Sequence, residues 1–325
     1  MHRRQLLGSL VAMTALPRAA QGQQLPVIGF LGSEAPELWR DRLEAFRQGL
    51  GETGFVEGQS VLVSYLWAGG QNDRLEGLAA ELVRRRVAVI VVLGSTRSAL
   101  AAKNATSEIP VVVRVAVDPI GAGLVSSLGR PGGNVTGWTT LGAQIGPKQL
   151  QLLREILPAG AVVGVLVNQT NPIIAAPLTR DFPAAAASFG FIPLVVEAST
   201  NAEIDTAFAR LEAAKAAAVV IGADTFFNAR NDRIVALALR SGMASVSAYR
   251  EHAVAGGLMS YGGSVAEASR QVGVYVGRIL KGERPADLPV QQVARLDLVI
   301  NMKTAATLGI TISPSLMART EEIIE

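Results

Sequence analysis

"VAVIVVLGSTRSALAAKNATSEIPVVVRVAVDPIGAGLVSSLGR", residues 87–130, decides the fold. Its apolar runs at 87–93 and 110–117 are nearly unbroken, where a strand with one wet face would alternate apolar and polar residues. Both faces of these strands are therefore buried. The Ala-rich segment between the runs is too long for a hairpin and reads as a crossover helix, which makes the strands neighbours in a parallel sheet. After the second run, Gly121 and Gly123 predict a turn behind Asp118, "LVSSLG" (124–129) a short helix, and "RPGGN" a type II turn into "VTGWTT".

The same unit recurs outward in both directions. "LPVIGFLGS" precedes a helical pattern in which Leu38, Leu43, Phe46 and Leu50 share a face, and "SVLVSYLWA" precedes "NDRLEGLAAELVRRR". Beyond "VTGWTT" the rhythm restarts with "GPKQLQLLREILP" and continues through "VVGVLVN", "IPLVVEAS", "AAVVIGAD" and "ASVSAY", each followed by a helical stretch. Two α/β sheets in sequence account for this, each with its own core. "GGLMSYGG" and "LDLVINM" add late strands around a "RPADLP" linker. We expect one lobe from 23–141 plus 256–290 and a second from 142–255 plus 291–325.

Residues 1–22 stand apart: Arg3 and Arg4, an apolar stretch from Leu6 to Leu16, then small residues with Ala20 and Gly22 placed for cleavage. This reads as a secretory signal peptide, with "RRQLL" also fitting a twin-arginine signal, since about 11 apolar residues fall short of the ~20 that span a bilayer. Without it, 27 basic residues face 27 acidic ones, so the net charge of +3 belongs to the leader. A balanced chain gives no reason to expect a nucleic-acid partner, which needs clustered Lys and Arg. The sequence contains no cysteine, and its remaining histidine is His252, which excludes thiolate and paired-His metal sites and leaves one imidazole. No cofactor is expected.

Glycines behind strands can cradle phosphates, but the Walker lysine pattern is missing around "GST" (94–96), and "GAG" (121–123) lacks the third glycine of the dinucleotide fingerprint. No G-x-S-x-G elbow occurs. The candidates for ligand contact are the residues just beyond the apolar runs, where open α/β sheets bind their ligands. These are Ser33, Gly94, Ser95, Thr96, Asp118, Asn168, Thr170, Asn171, Asp224, Thr225, Phe226 and Tyr249. Ser, Thr, Asp and Asn at such places also serve as helix caps, so each carries a structural reading beside the functional one. Gly94 would let a ligand approach the backbone.

The strings "IPVVVRVAVDPIGAGLVSSLGRPGGNVTG", "ADTFFNARNDRIVALA", "AVAGGLMSYGGS", "GRILKGERPADLPVQQ" and "LVINMKTAATLGI" closely resemble the ABC-transporter substrate-binding family that includes tryptophan- and tyrosine-type binding proteins, a branch of the type I periplasmic binding proteins. The resemblance implies two Rossmann-like lobes joined by crossing hinge strands and a small polar solute trapped on closure. It further implies a periplasmic monomer that delivers to an inner-membrane permease with a cytoplasmic ATPase, and no catalysis. Carried onto this chain, it points Ser33, Ser95 and Thr96 toward an anionic group, Asp118 and Asp224 toward a cationic one, and makes Phe226 and Tyr249 walls. "GMASVSAYRE" and "LVNQTNP" depart from the family's usual "IPAIY" and "NPxNP" strings, so the ligand need not be an amino acid. An exported α/β enzyme and a ligand-presenting sensor stay open as alternatives.

Overall fold

The structure, a computed structural model, describes residues 25–140, 145–293 and 295–325. The expected signal peptide lies outside the described residues. Thirteen strands are described, in two sheets. In chain order they are β1 (Val27–Gly32), β2 (Leu62–Trp67), β3 (Val89–Leu93), β4 (Val111–Val115), β5 (Val135–Thr139), β6 (Val162–Val167) and β7 (Ile192–Glu197). They continue as β8 (Ala218–Ile221), β9 (Ala244–Ser247), β10 (Met259–Gly263), β11 (Gln291–Gln292), β12 (Leu296–Asn301) and β13 (Glu322–Ile324).

The first sheet runs β11-β5-β4-β3-β1-β2 and the second β13-β12-β10-β9-β8-β6-β7. All pairings are parallel except β10 with β12. The apolar runs at 87–93 and 110–117 supply β3 and β4, buried along their whole length. A core lies on each face of each sheet: Leu82, Ile90 and Val113 on one side of the first, Phe30, Phe46 and Val91 on the other. Leu153, Val165 and Phe182 mark one side of the second, Phe208, Val219 and Ile234 the other. No helix among the described residues is long and apolar enough to cross a membrane.

Two sequence expectations change. The stretch 124–129 forms no helix; the chain from 118 to 134 is a series of turns, with Gly123 and Gly132 at φ of 70° and 79°. So many glycines make helix formation unfavourable, and the second of them fits the expected type II turn at Pro131–Gly132. The lobe boundaries also shift. β10, expected with the first lobe, pairs with β9 and β12 in the second sheet, and β11, expected with the second, pairs with β5 in the first. The helix Val265–Leu280 packs on the first lobe, where Val272, Tyr275 and Val276 join the core of Ile28 and Phe30. Strand patterning specifies burial but not which of two buried sheets a strand joins, and this is why pattern misplaced them.

Candidate functional site

Both sheets have the same topological switch. β1 is flanked by β2 and β3, and β6 by β7 and β8, so the connections leaving each pair run to opposite faces of the sheet and open a crevice at the strand ends. Ser33 follows β1 and Gly94–Thr96 follows β3 in the first lobe; Asn168–Asn171 follows β6 and Asp224–Phe226 follows β8 in the second. The two crevices face one another.

On the second lobe the polar residues form one network around Asp224, which is 3 % exposed. Its Oδ1 accepts from Asn168 Nδ2 at 3.1 Å and from the Phe226 amide at 2.8 Å, and its Oδ2 accepts from Asn171 Nδ2 at 2.6 Å. Asn168 Oδ1 in turn accepts from the Thr170 amide and hydroxyl and from the Ser199 hydroxyl. Asp224 thus caps the helix Thr225–Asn228 and fixes both asparagines, leaving Asn171 Oδ1 without a protein partner. A carboxylate held this way is preorganised to meet a cationic or hydrogen-bonding group.

The first lobe presents hydroxyls. Ser95 Oγ caps the helix Thr96–Ala105 by accepting from the Ser98 amide at 3.2 Å. Ser33 Oγ and Thr96 Oγ1 are buried and make no hydrogen bond within the protein. Gly94 has a different role from the one expected. Its φ of +133° suits glycine, and a Cβ there would lie 2.5 Å from Nη2 of Arg114, so the space that a ligand was expected to use holds a guanidinium.

Asp118 also departs from expectation. Its carboxylate accepts from the amides of Ile120 at 3.0 Å and Gly121 at 3.1 Å, closing the turn after β4. It does not line the cleft. Tyr249 is buried between the lobes, with its hydroxyl donating to the Ala223 carbonyl at 3.3 Å, and burial pushes its phenol above the usual range. His252 is fully buried in the second lobe, its ring bonded to Ser245 Oγ at 2.9 Å and Asn231 Oδ1 at 3.2 Å. Both partners are part of the packing.

The cleft itself has a volume of about 540 Å³. Ser95 and Glu34 line it from one side; Asn168, Thr170, Asn171, Asp224, Thr225 and Phe226 line it from the other. Sequence reading missed the charged residues that cross it. Glu34 Oε2 meets Arg230 Nη1 at 3.6 Å, and Arg42 Nη2 meets Glu251 Oε1 at 3.7 Å. Burial pushes the Glu34 carboxyl up, Arg230 opposes the rise, and Asp224 adds to it. The Arg230 guanidinium carbon stands over Phe226, 3.8 Å from the ring centre. A second cavity of about 610 Å³ opens beyond that bridge, between Trp39 and Arg42 of the first lobe and Glu251 of the second. Glu34 and Arg42 sit in or next to a helical pattern where solvated charge is the ordinary reading, so nothing in spacing marked them. Arg114 did carry a signal: a lone cation in "VVVRVAV".

The comparisons agree with this architecture. The model of the family described as ABC transporter substrate binding protein matches residues 34–324. A tyrosine-binding protein of Clostridioides difficile is 25 % identical over 267 residues, covering 82 % of this chain and 75 % of that protein. A crystal structure of a conserved domain protein from Vibrio cholerae superposes with a TM-score of 0.83 at 27 % identity, over 92 % of this chain and 100 % of the other. The structure of an ABC domain in complex with L-Trp from Streptococcus pneumonia shares the fold, with a TM-score of 0.84 at 24 % identity, over 93 % of this chain and 100 % of that one. With two doubly wound lobes facing across a polar cleft and a family match over nearly the whole chain, this protein belongs to the ABC transporter substrate-binding protein family.

Proposed function

We propose that this chain is the exported solute-binding component of an ABC importer, which captures a small polar solute between its lobes and presents the closed form to an inner-membrane permease driven by a cytoplasmic ATPase. One observation carries this reading: the polar groups that face the cleft are divided between the switch points of two separate sheets, Glu34 and Ser95 on one and the Asp224 network on the other. A solute touching both sets favours the closed arrangement over the open one, and its differential affinity shifts the hinge equilibrium. The strand crossings between the sheets, after β5, after β10 and after β11, form the hinge.

The tyrosine-binding relative and the tryptophan complex support an amino acid or related aromatic acid as the solute class. The cleft supports a polar ligand with one aromatic contact, Phe226. Binding of this kind needs no covalent step, cofactor, second copy or nucleic acid. Isothermal titration against amino acids, aromatic acids and small sugars tests the reading. Binding of a solute in the micromolar range, weakened at least about tenfold by Asp224→Ala, is expected; turnover of a solute by the wild type would replace binding with catalysis.

A further inference from the structure

Several buried polar atoms without a hydrogen-bond partner in the protein belong to segments at the lobe contact, among them Ser33 Oγ, Thr96 Oγ1, Arg114 Nε and Nη1, Asn171 Oδ1 and Glu251 Oε2. Arg114 is the strongest of these, being an ionised group with no solvent exposure at all. One of its nitrogens, Nη2, donates to the Leu93 carbonyl at 3.0 Å. Nε and Nη1 make no hydrogen bond of good geometry within the protein, and the Tyr249 hydroxyl is the polar group that approaches the guanidinium. A guanidinium placed in a core for structure alone normally has its N–H groups satisfied and its charge matched, because burying it otherwise costs several kcal/mol.

The charge around it is not matched. Arg42, 5 % exposed and stacked on Trp39 at 4.9 Å, stands beside Arg114, and the two share one carboxylate, Glu251. Burial and the proximity of Arg42 hold the Arg114 guanidinium down at about 10, while Tyr249 and Glu251 oppose this. Two buried cations face one carboxylate, Glu251, whose side chain is 36 % exposed, which leaves an excess of one positive charge there. Tyr249 and Glu251, which act on Arg114, follow β9 in the second lobe, so a hinge motion that parts the lobes would withdraw them from the guanidinium.

We propose that Arg114 is the anion anchor of the interlobe site and that the solute carries a carboxylate, which takes the free N–H groups of Arg114 as the missing counter-charge beside Arg42 and Tyr249. This rests on the solute-binding reading and narrows it. The serine and threonine hydroxyls of the first lobe then hydrogen-bond the rest of the solute, and the Asp224 network meets its opposite end. Tyr249 feels the charges of both Arg114 and Asp224.

The experiment measures binding by titration calorimetry and melting temperature for the full chain. The carboxylates are L-tyrosine, L-tryptophan, 4-hydroxyphenylacetate, indole-3-acetate, benzoate, succinate and L-glutamate; the matched partners without a carboxylate are tyramine, tryptamine and 4-hydroxyphenylacetamide, with ribose as a neutral probe. At least one carboxylate is expected to bind and its partner lacking the group to bind at least about thirtyfold more weakly, the loss that follows when one member of a buried charge pair is removed. Binding of tyrosine with no binding of 4-hydroxyphenylacetate identifies an amino acid; binding of both identifies a simple acid; either supports the anchor. Arg114→Met is expected to lose the same thirtyfold while melting no lower than the ligand-free wild type, since an apolar chain of similar length replaces an unmatched charge. Arg114→Lys keeps part of the affinity. The proposal is overturned if Arg114→Met binds the carboxylate within about threefold of the wild type, if an amine or amide binds as tightly as its acid, or if no carboxylate binds. Tight binding of ribose or an amine with Arg114→Met unchanged overturns the anchor and leaves the solute-binding reading standing; no binding of any solute removes both.

Discussion

Glu34 of the first lobe and Arg230 of the second stand 3.6 Å apart across the cleft, Oε2 to Nη1, with their side chains 10 % and 25 % exposed. Arg230 is held for this contact: it lies on the Phe226 ring and donates to the Phe226 carbonyl at 2.9 Å and to Asn201 Oδ1 at 2.8 Å. In the hinge reading proposed above, the pair spans the two lobes and adds to closure whatever solute is bound.

Arg230→Met leaves Glu34 buried without its cation, and solute affinity is expected to fall by about tenfold, roughly 1.4 kcal/mol. The pH response checks the cause. The Glu34 carboxyl is raised from its ordinary 4.5, so the protonated form is the one that closure favours, and its contribution is present below 4.5 and lost as pH rises through the raised value. Without Arg230 the rise is larger. Affinity of the variant should therefore recover toward the wild type as pH falls through the raised value, and titrations that show a constant deficit across pH would assign the loss to Phe226 packing.

Asp118 and Asp224 resemble each other in sequence, each an acid after an apolar run, and the structure separates them. Asp118 spends both oxygens on its own turn, whereas Asp224 holds two asparagines from another connection. Asp118→Ala is expected to lower stability by about 1 kcal/mol, as loss of a capping carboxylate does, with affinity unchanged within twofold. Asp224→Ala should cost a similar stability and at least tenfold in affinity. Urea denaturation and calorimetry on the two variants read this out, and equal affinity losses would place Asp118 at the ligand.

The repeat of apolar run and helix was legible because burial on both faces leaves an unmistakable mark on β3 and β4. The strand-end positions of Ser95, Asn168, Asn171, Asp224 and Phe226 were legible for the same reason, as each lies within five residues past such a run. Three things were not. The sheet that β10 and β11 join depends on contacts far along the chain, which periodicity does not encode. The charged pairs Glu34–Arg230 and Arg42–Glu251 lie in segments where charge is ordinary, so only the meeting of lobes gives them meaning. Gly94 looked like room for a ligand because its neighbour in space, Arg114, is 20 residues away in sequence.

The crossing of the helices Arg40–Glu52 and Val265–Leu280 joins a late segment to the first lobe at backbone distance. A Cβ at Gly273 would lie 2.2 Å from the Phe46 carbonyl oxygen, and one at Gly49 would lie 1.8 Å from that of Arg270. Backbone cannot yield as a side chain end can. Gly273→Ala is expected to destabilise by about 1–3 kcal/mol, the range for overpacking. Gly51, on the same helix as Gly49 with nothing within 4 Å of its Cβ position, supplies the contrast: Gly51→Ala should gain up to about 1 kcal/mol of helix propensity. Urea midpoints moving in opposite directions confirm the crossing; a Gly273→Ala variant as stable as the wild type would rule it out.

His252 makes stability depend on pH through packing alone. Asn231 Oδ1 can only accept, so Nδ1 carries the proton and Nε2 accepts from the Ser245 hydroxyl, which places a neutral imidazole in the core. Burial lowers its pKa from 6.5 to about 4. A base whose folded value is depressed contributes stability that is fully present above 6.5 and is lost as pH falls from there toward 4, since the unfolded chain takes up the proton first. The shift corresponds to about 3 kcal/mol in order of magnitude. His252→Asn should therefore be less stable than the wild type at pH 7.5, with the gap between the two closing steadily between pH 6.5 and 4 because the variant lacks this titration. Urea denaturation of both proteins at half-unit steps measures the gap directly, and a gap that stays constant would show that the imidazole is not buried in its neutral form.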